Sequence, residues 1–261
     1  MKILVTGHRG FVGSVVFSLL RRNGLDVTGF DIGDKLVPEK YSYIVHLAAR
    51  TLIRKSIELP FHYYEDNLHL SMRFIEMARL DGSDIIFPTS GSVAEATNPY
   101  SLSKKQTVEW ISLYRKLYGI RAHVLKFYNV YGPASRKGAV YLFIKAALKS
   151  EPVTVYGDGN HVRDFIHVDD VARGILEIIE GKHPPGDYEM GTGEGTSVND
   201  LLSIVEEIAG KRLEVLRKDY VVDEAESLVA SRPMLKNTKP LKKGVAEIYE
   251  ELSHLDPKLL P

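Results

Sequence analysis

The sequence predicts an α/β fold built on a parallel sheet, and two of its patterns support that prediction. Short apolar runs alternate with amphipathic stretches at helical spacing through the first half of the chain. A cluster of glycines separates the first apolar run from the first amphipathic stretch, as in a strand, a turn and a helix. Strands that alternate with helices form parallel sheets covered on both faces. We therefore expect one large α/β domain and a smaller lobe, which 261 residues can accommodate.

The expected elements follow this alternation in order along the chain. Strands are predicted at residues 3–5, 26–30, 43–49, 84–87 and 121–127. Helices are predicted between them at residues 11–22, 67–80 and 104–118. Beyond residue 133 the alternation weakens, and helices near 140–149, 171–179 and 198–209 are joined by turns rich in Gly and Pro. We therefore expect one domain at 1–133, with returning segments around 153–175, and a lobe formed mainly by 134–261.

Charge and composition exclude several classes of protein. Lys plus Arg and Asp plus Glu both number 34, and without a basic run no nucleic-acid partner is expected. The absence of cysteine excludes disulfides, thiolate metal sites and cysteine nucleophiles, and it fits a reducing compartment. No apolar segment approaches the roughly 20 residues that span a bilayer, and the first residues do not form a signal peptide. We expect a soluble cytoplasmic protein with no membrane partner.

Gly7, Gly10 and Gly13 form a candidate dinucleotide-binding loop. Glycines between a first strand and a first helix let the backbone approach a pyrophosphate at the helix N-terminus. Asp31 follows the second strand about 20 residues later, where a carboxylate would accept hydrogen bonds from a ribose and repel a 2′-phosphate. This favours NAD, although Arg9 in the loop is compatible with NADP. The alternatives are a plain turn and a turn-capping aspartate.

Tyr100 and Lys104 form a candidate proton-transfer pair, with Ser90 shortly upstream at the end of an apolar run. Four residues are one helical turn, so the phenol and the ammonium lie on one face. A cation there would lower the pKa of the phenol from its ordinary value of about 10 towards the working pH. The alternative is a half-exposed helix face with a lysine that reaches to solvent.

Together these motifs resemble those of the extended short-chain dehydrogenases, the NAD-dependent sugar epimerase/dehydratase family. Further motifs carry the resemblance from Met1 to about residue 210, namely His46-Leu47-Ala48-Ala49, Asn67, Asn129-Val130-Tyr131-Gly132-Pro133 and Arg163-Asp164-Phe165-Ile166-His167-Val168-Asp169-Asp170. The resemblance implies a Rossmann-like doubly wound parallel sheet that binds NAD and a smaller C-terminal substrate-binding lobe that binds a nucleotide-diphosphate sugar. It also implies a homodimer through the helices at 67–80 and 104–118.

The resemblance further implies roles for single residues. Tyr100 would take the proton from the sugar O4 while hydride passes from C4 to the nicotinamide; Lys104 would lower the phenol pKa and hold the nicotinamide ribose, and Ser90 would bond the reacting oxygen. The residues implied at the cofactor are Gly7, Gly10, Phe11, Val12, Gly13, Asp31, Ile32, Leu47, Ala48, Ala49, Asn67, Tyr100, Lys104 and Tyr128. Those implied at the substrate are Ser90, Tyr100, Asn129, Tyr156 and Arg163.

Three residues near the end of the resemblance have other interpretations. A surface ion pair with Asp164 is the alternative for Arg163. Asp169 and Asp170 precede an apolar-periodic helix, so we expect them to cap its N-terminus. Nearby histidines lack a recognised ligand spacing, and no metal site is expected.

Gly91 and Ser92, which follow Ser90, favour one reaction of the family. Sugar 4,6-dehydratases carry an Asp-Glu pair there, uronic-acid decarboxylases carry a Glu, and the 3,5-epimerase/reductases use a cysteine. The resemblance therefore favours a UDP-sugar 4-epimerase of the UDP-glucose/UDP-galactose type. An NAD(P)H-dependent 4-ketosugar reductase and a non-catalytic nucleotide-sensing module are the alternatives.

Two departures from the family distinguish this chain. The short segment between Asp31 and His46 predicts that one edge strand is missing. Only nine residues separate Ser90 from Tyr100, where the family has a longer segment over the sugar.

Overall fold

The computed structural model describes residues 1–91, 96–219 and 225–255, which fall into two compact units. Unit 1 comprises Met1–Phe127 and Val171–Met190, and unit 2 comprises the other described residues. The sequence places the boundary at 133 and the returning segment around 153–175. The structure differs because residues 171–190 supply a helix and a strand to the sheet of unit 1, whereas the strands at 153–156 and 162–167 pair within unit 2.

The described residues form alternating strands and helices. The strands are β1 (Lys2–Thr6), β2 (Asp26–Phe30), β3 (Tyr43–His46), β4 (Asp84–Ser90), β5 (Ala122–Phe127), β6 (Asn129–Tyr131), β7 (Val153–Tyr156), β8 (Val162–His167), β9 (Gly186–Met190), β10 (Gly195–Ser197), β11 (Val215–Lys218) and β12 (Ser227–Leu228). The helices are α1 (Phe11–Arg22), α2 (Ile53–Glu58), α3 (Pro60–Tyr63), α4 (Leu70–Asp81), α5 (Pro99–Tyr118), α6 (Ala139–Lys149), α7 (Val168–Ile179), α8 (Val198–Ala209) and α9 (Leu241–Ser253), and a π-helical turn spans Tyr64–His69.

A six-stranded parallel sheet forms the centre of unit 1, in the order β2-β1-β3-β4-β5-β9. Ile3, Leu4 and Val5 of β1 are fully buried, as an inner parallel strand requires, because both of its faces are covered. The predicted Rossmann-like doubly wound fold is confirmed. Among the described residues the sheet ends at β2, in agreement with the missing edge strand.

Several predicted strand and helix boundaries are wrong by three or more residues. The strand predicted at 43–49 ends at His46, so Leu47, Ala48 and Ala49 lie beyond the sheet. The helix predicted from residue 67 begins earlier as the π-helical turn, and the one predicted from 104 begins at Pro99. Asn98 caps that helix by accepting a 2.9 Å hydrogen bond from the Ser101 N–H. The predicted N-cap role of Asp169 and Asp170 is also wrong, because both lie in the first turn of α7.

Unit 2 combines short strands with a helical core. β8 pairs with β6, β10 and β12, and β7 pairs with β11. Buried apolar residues of α6, α8 and α9 pack together beside them. The carboxylate of Asp164 is fully buried, and it accepts hydrogen bonds from the backbone N–H groups of Thr192, Gly193 and Ala230. No helix within the described residues is long and apolar enough to cross a membrane.

Candidate active site

The glycine loop between β1 and α1 has the geometry of a pyrophosphate cradle. Gly7 adopts φ +70°, and a Cβ there would lie 2.7 Å from the Ala48 nitrogen. A Cβ on Gly13 would overlap the carbonyl oxygen of Gly7, so a side chain at either position would displace the loop. No acidic residue occupies the first turn of α1, which includes Phe11 and Val12. Its unpaired N–H groups therefore present a partial positive charge that fits a phosphate.

Asp31 lies where the sequence places it, directly after β2. Its carboxylate accepts a 3.1 Å hydrogen bond from the Arg9 N–H and a 2.9 Å bond from the N–H of Ile32. The first bond links the end of β2 to the glycine loop. Because each carboxylate oxygen has more than one acceptor site, these bonds leave capacity for ribose hydroxyls. The donor set and the tight glycines fit a dinucleotide.

Leu47, Ala48 and Ala49 follow β3 and extend the same edge of the sheet. The Leu47 N–H donates to the Thr6 carbonyl at 3.2 Å, and the Ala48 N–H donates to the Thr6 hydroxyl at 3.1 Å. The chain leaving β3 is therefore fixed to the end of β1, beside Gly7. This supports the placement of these residues along the cofactor, which stays a prediction.

A buried chain of hydrogen bonds joins the ends of β1 and β3 to the π-helical turn. The Thr6 hydroxyl lies 2.7 Å from His46 Nδ1, and His46 Nε2 lies 2.9 Å from the Ser71 hydroxyl. Ser71 in turn donates to the Asn67 carbonyl. Because that carbonyl can only accept, the Ser71 hydroxyl accepts from His46 Nε2–H, and Nδ1 of a neutral ring accepts from the Thr6 hydroxyl. His46 is neutral and protonated at Nε2.

The environment of His46 holds it in that neutral state. Burial, with a smaller effect of Lys104, lowers the pKa of His46 to about 3. Sequence reasoning assigned no role to Thr6, His46 or Ser71. The signal for Thr6 and His46 was a polar residue at the end of an apolar strand, whereas Ser71, in α4, had none.

Asn67 lies in the π-helical turn and positions two neighbours. Its Oδ1 accepts a 2.8 Å bond from the Arg50 N–H, and its Nδ2 donates to the Arg50 carbonyl at 3.0 Å and to the Ser103 hydroxyl at 3.2 Å. Ser103 donates to the Tyr100 carbonyl at 2.8 Å, so this network ends on the helix that carries the candidate catalytic pair. Both amide hydrogens of Asn67 are used. Its predicted cofactor contact can therefore be made only through Oδ1 without breaking these bonds.

Ser90, Tyr100 and Lys104 lie together in unit 1. Ser90 ends β4, and its hydroxyl is hydrogen-bonded to the phenol of Tyr100, which is in the first turn of α5. Lys104 is one turn further along, where its Nζ donates to the Pro88 carbonyl at 3.0 Å and lies 4.5 Å from the centre of the Phe87 ring. The buried amine of Lys104 therefore lies beside the end of β4, on the same helix as the phenol of Tyr100.

Burial shifts the pKa values of this pair in opposite directions. It raises the pKa of Tyr100, and the Ser90 hydrogen bond and nearby Tyr63 act as smaller effects, the first lowering and the second raising the value. Burial lowers the pKa of Lys104 to about 7. The lowering effect on the phenol therefore comes from Ser90 in this structure, and the effect expected of Lys104 stays a prediction. Opposed shifts within one pair of titratable groups are typical of functional sites.

The other predicted ligand residues belong to unit 2. Tyr128 is buried, Asn129 begins β6, and Tyr156 ends β7 with 36% of its surface exposed. The guanidinium of Arg163 donates 2.9 Å hydrogen bonds to the carbonyls of Val162 and Ala225. Their roles towards cofactor and sugar nucleotide stay predictions. Ser92 lies outside the described residues, and no cluster of potential metal ligands occurs within the described part of the chain.

Comparisons with known proteins agree with this geometry. A sequence profile of the NAD dependent epimerase/dehydratase family matches residues 3–191. A Methanocaldococcus jannaschii protein provisionally named as a UDP-glucose 4-epimerase is 33% identical over 259 residues, which cover 82% of this chain and 84% of the relative. A UDP-glucuronate 4-epimerase of Thermodesulfobacterium geofontis is 30% identical over 210 residues, which cover 72% of this chain and 64% of the relative.

A solved structure extends the similarity to nearly the whole chain. It is that of a UDP-glucose 4-epimerase from Thermus thermophilus in complex with NAD. The match has a TM-score of 0.83 at 28% identity and covers 97% of this chain and 99% of the other. The loop, strand ends and helix described above thus belong to a fold that binds a dinucleotide in a similar protein.

Proposed function

The chain belongs to the NAD dependent epimerase/dehydratase family, and from that premise we propose that it is an NAD-dependent 4-epimerase of nucleotide sugars. Its substrate is UDP-glucose and UDP-galactose, or a related UDP-hexose. The observation that carries the proposal is the Ser90–Tyr100 hydrogen bond, with Lys104 one helical turn away from Tyr100. The residue after Ser90 is Gly91, which has no carboxylate.

The chemistry divides between the cofactor and the chain. NAD, when bound, supplies the acceptor and donor of hydride at C4 of the sugar. Tyr100, as the phenolate, takes the O4 proton at its phenolic oxygen and returns it to O4 of the epimer. Ser90 orients that oxygen and stabilises the phenolate through its hydroxyl. Lys104, protonated below its pKa of about 7, supplies positive charge beside the strand end.

The absence of an acid after Ser90 supports epimerisation over elimination. A dehydratase must protonate a leaving hydroxyl group, which requires a carboxylic acid or an equivalent donor within reach. Gly91 has no side chain, and Ser92 bears a hydroxyl with no acidic proton near neutrality. Epimerisation at C4 needs no such group, because the same oxygen gives up and recovers its proton.

Turnover of UDP-sugars tests the proposal. Purified protein shown to hold NAD is incubated separately with UDP-glucose, UDP-galactose, UDP-glucuronate and UDP-N-acetylglucosamine, and the C4 configuration is followed by proton NMR. We expect interconversion of at least one pair with no net change in NADH absorbance. Tyr100→Phe should abolish it and retain NAD, whereas Tyr64→Phe, at an exposed tyrosine of the same unit, should remain active. Failure to epimerise any of the four would remove the proposal.

We also propose that the protein forms a homodimer through α5. Leu102, Trp110, Leu113 and Leu117 are each at least 41% exposed, and their spacing places them in one stripe along that helix. Apolar stripes of this kind mark protein interfaces. Leu113→Glu should give a monomer in light scattering, while Ser112→Glu, which adds the same charge at an exposed position of α5 outside the stripe, should remain dimeric. A monomeric wild-type protein would contradict this assignment.

A further inference from the structure

We propose that Asp34 selects NAD over NADP by holding the guanidinium of Arg9 away from a 2′-phosphate. Arg9 lies in the glycine loop, beside the carboxylate that would receive the adenosine ribose. A guanidinium in that position would ordinarily favour the phosphorylated cofactor, because its forked donors match phosphate oxygens. In this structure the guanidinium instead forms an ion pair with Asp34.

A tight turn places Asp34 where it can do this. The Asp34 N–H donates to the Asp31 carbonyl at 2.9 Å, and Gly33 between them adopts φ +93°, a conformation that L side chains rarely adopt. The turn brings the two carboxylates together after β2. Asp34 then uses one oxygen for Arg9 and the other to accept a 2.8 Å bond from the Asp31 N–H.

The result is a closed arrangement between the glycine loop and the end of β2. The backbone N–H of Arg9 donates to Asp31, and its side chain is held by Asp34. Two carboxylates and one guanidinium thus lie at the ribose end of the site, which carries net negative charge. The Arg9 hydrogen bond also holds the pKa of Asp34 below its ordinary value. A 2′-phosphate would be repelled by this negative charge, and the Arg9 guanidinium that could bind it is already paired with Asp34.

The inference concerns the cofactor alone and is independent of which sugar is used. Asp34→Asn removes the charge but keeps one oxygen that can accept from the Asp31 N–H. In the Asp34→Asn variant the Arg9 guanidinium should become available to a phosphate. Glu39→Gln is the matched control, because Glu39 is another acid of the same segment and pairs with Lys2 instead of Arg9.

Competition between the two cofactors tests this directly. Each protein is equilibrated with an equal mixture of NAD and NADP and desalted, and the retained nucleotides are released by denaturation and quantified by chromatography. We expect Asp34→Asn to raise the NADP-to-NAD ratio about tenfold over wild type, the gain typical of one charge-assisted contact. The same substitution in an Arg9→Gln background should change the ratio less than twofold, on the order of the error in such contacts.

Three results would overturn the inference. The ratio of Asp34→Asn could equal that of wild type, which would mean that the ion pair does not control the guanidinium. An equal shift in the Arg9→Gln background would show that Asp34 acts on the phosphate directly. An equal shift in Glu39→Gln would show a general effect of charge. The readout is bound nucleotide, so it is unaffected if no UDP-sugar is turned over.

Discussion

Acid should destabilise unit 1 through the buried imidazole of His46. Burial lowers the pKa of this ring to about 3, whereas in an unfolded chain it is about 6.5. Between these values the unfolded state binds a proton that the folded state does not. The contribution of His46 to stability is therefore fully present above pH 6.5 and is lost progressively as the pH falls towards 3.

The size of the effect follows from the two pKa values. At pH 5 the unfolded imidazole is protonated and the folded one is not, so His46 costs about 2 kcal/mol relative to pH 8, from about 1.4 kcal/mol per pH unit over about 1.5 units. Urea unfolding followed by Trp110 fluorescence measures this, because Trp110 is the chain's single tryptophan and lies on α5 of unit 1. In His46→Gln, which cannot titrate, the loss between pH 8 and pH 5 should be smaller by about 2 kcal/mol.

Only the pH dependence is compared, so a uniform loss of stability in the variant does not affect the test. His62→Gln, at an exposed histidine of the same unit, should follow wild type across the range. If wild type and His46→Gln lose the same free energy between pH 8 and pH 5, the ring is not held neutral and the proton assignment along its hydrogen-bond chain is incorrect.

Three further changes test other parts of the structure. Thr6→Val should lower the free energy of unfolding by about 2 kcal/mol in thermal unfolding, because it leaves His46 Nδ1 without its partner. Thr6→Ser should recover most of this loss, and equal losses in the two variants would contradict the hydrogen-bond chain through His46. Gly13→Ala should reduce the retained NAD at least about tenfold, measured by chromatography, because the added Cβ overlaps the Gly7 carbonyl oxygen. Normal retention of NAD would contradict this role of the glycine loop. Asp164→Asn should cost about 3 kcal/mol in calorimetric unfolding, because an amide NH₂ would replace a buried acceptor, and a loss under about 1 kcal/mol would count against it.

The local features of the site could be predicted from the sequence because their signals are local. Gly7 and Gly13 are needed wherever a backbone must turn beside a phosphate, and the sequence shows them between an apolar run and a helix. The pairing of Tyr100 with Lys104 follows from the pitch of one helix. The first and last residues of each element were harder to predict, because helix and strand ends depend on caps and on the neighbouring strands and helices.

Contacts between distant segments could not be predicted in the same way. The bond between Thr6 and His46 joins residues 40 positions apart, and the ion pair between Arg9 and Asp34 needs the end of β2 to lie beside the glycine loop. A single sequence reports neither which strands are neighbours nor which buried polar atoms meet.

Periodicity and spacing along the chain predict the parallel α/β fold, the candidate dinucleotide loop and the pairing of Tyr100 with Lys104. The charge and protonation of these groups depend on how the folded chain packs. The tertiary structure assigned the proton of His46, moved the pKa values of Tyr100 and Lys104 in opposite directions, and engaged Arg9 with Asp34. The reason is physical: burial and partner distance set these quantities, and both arise only when remote segments pack together.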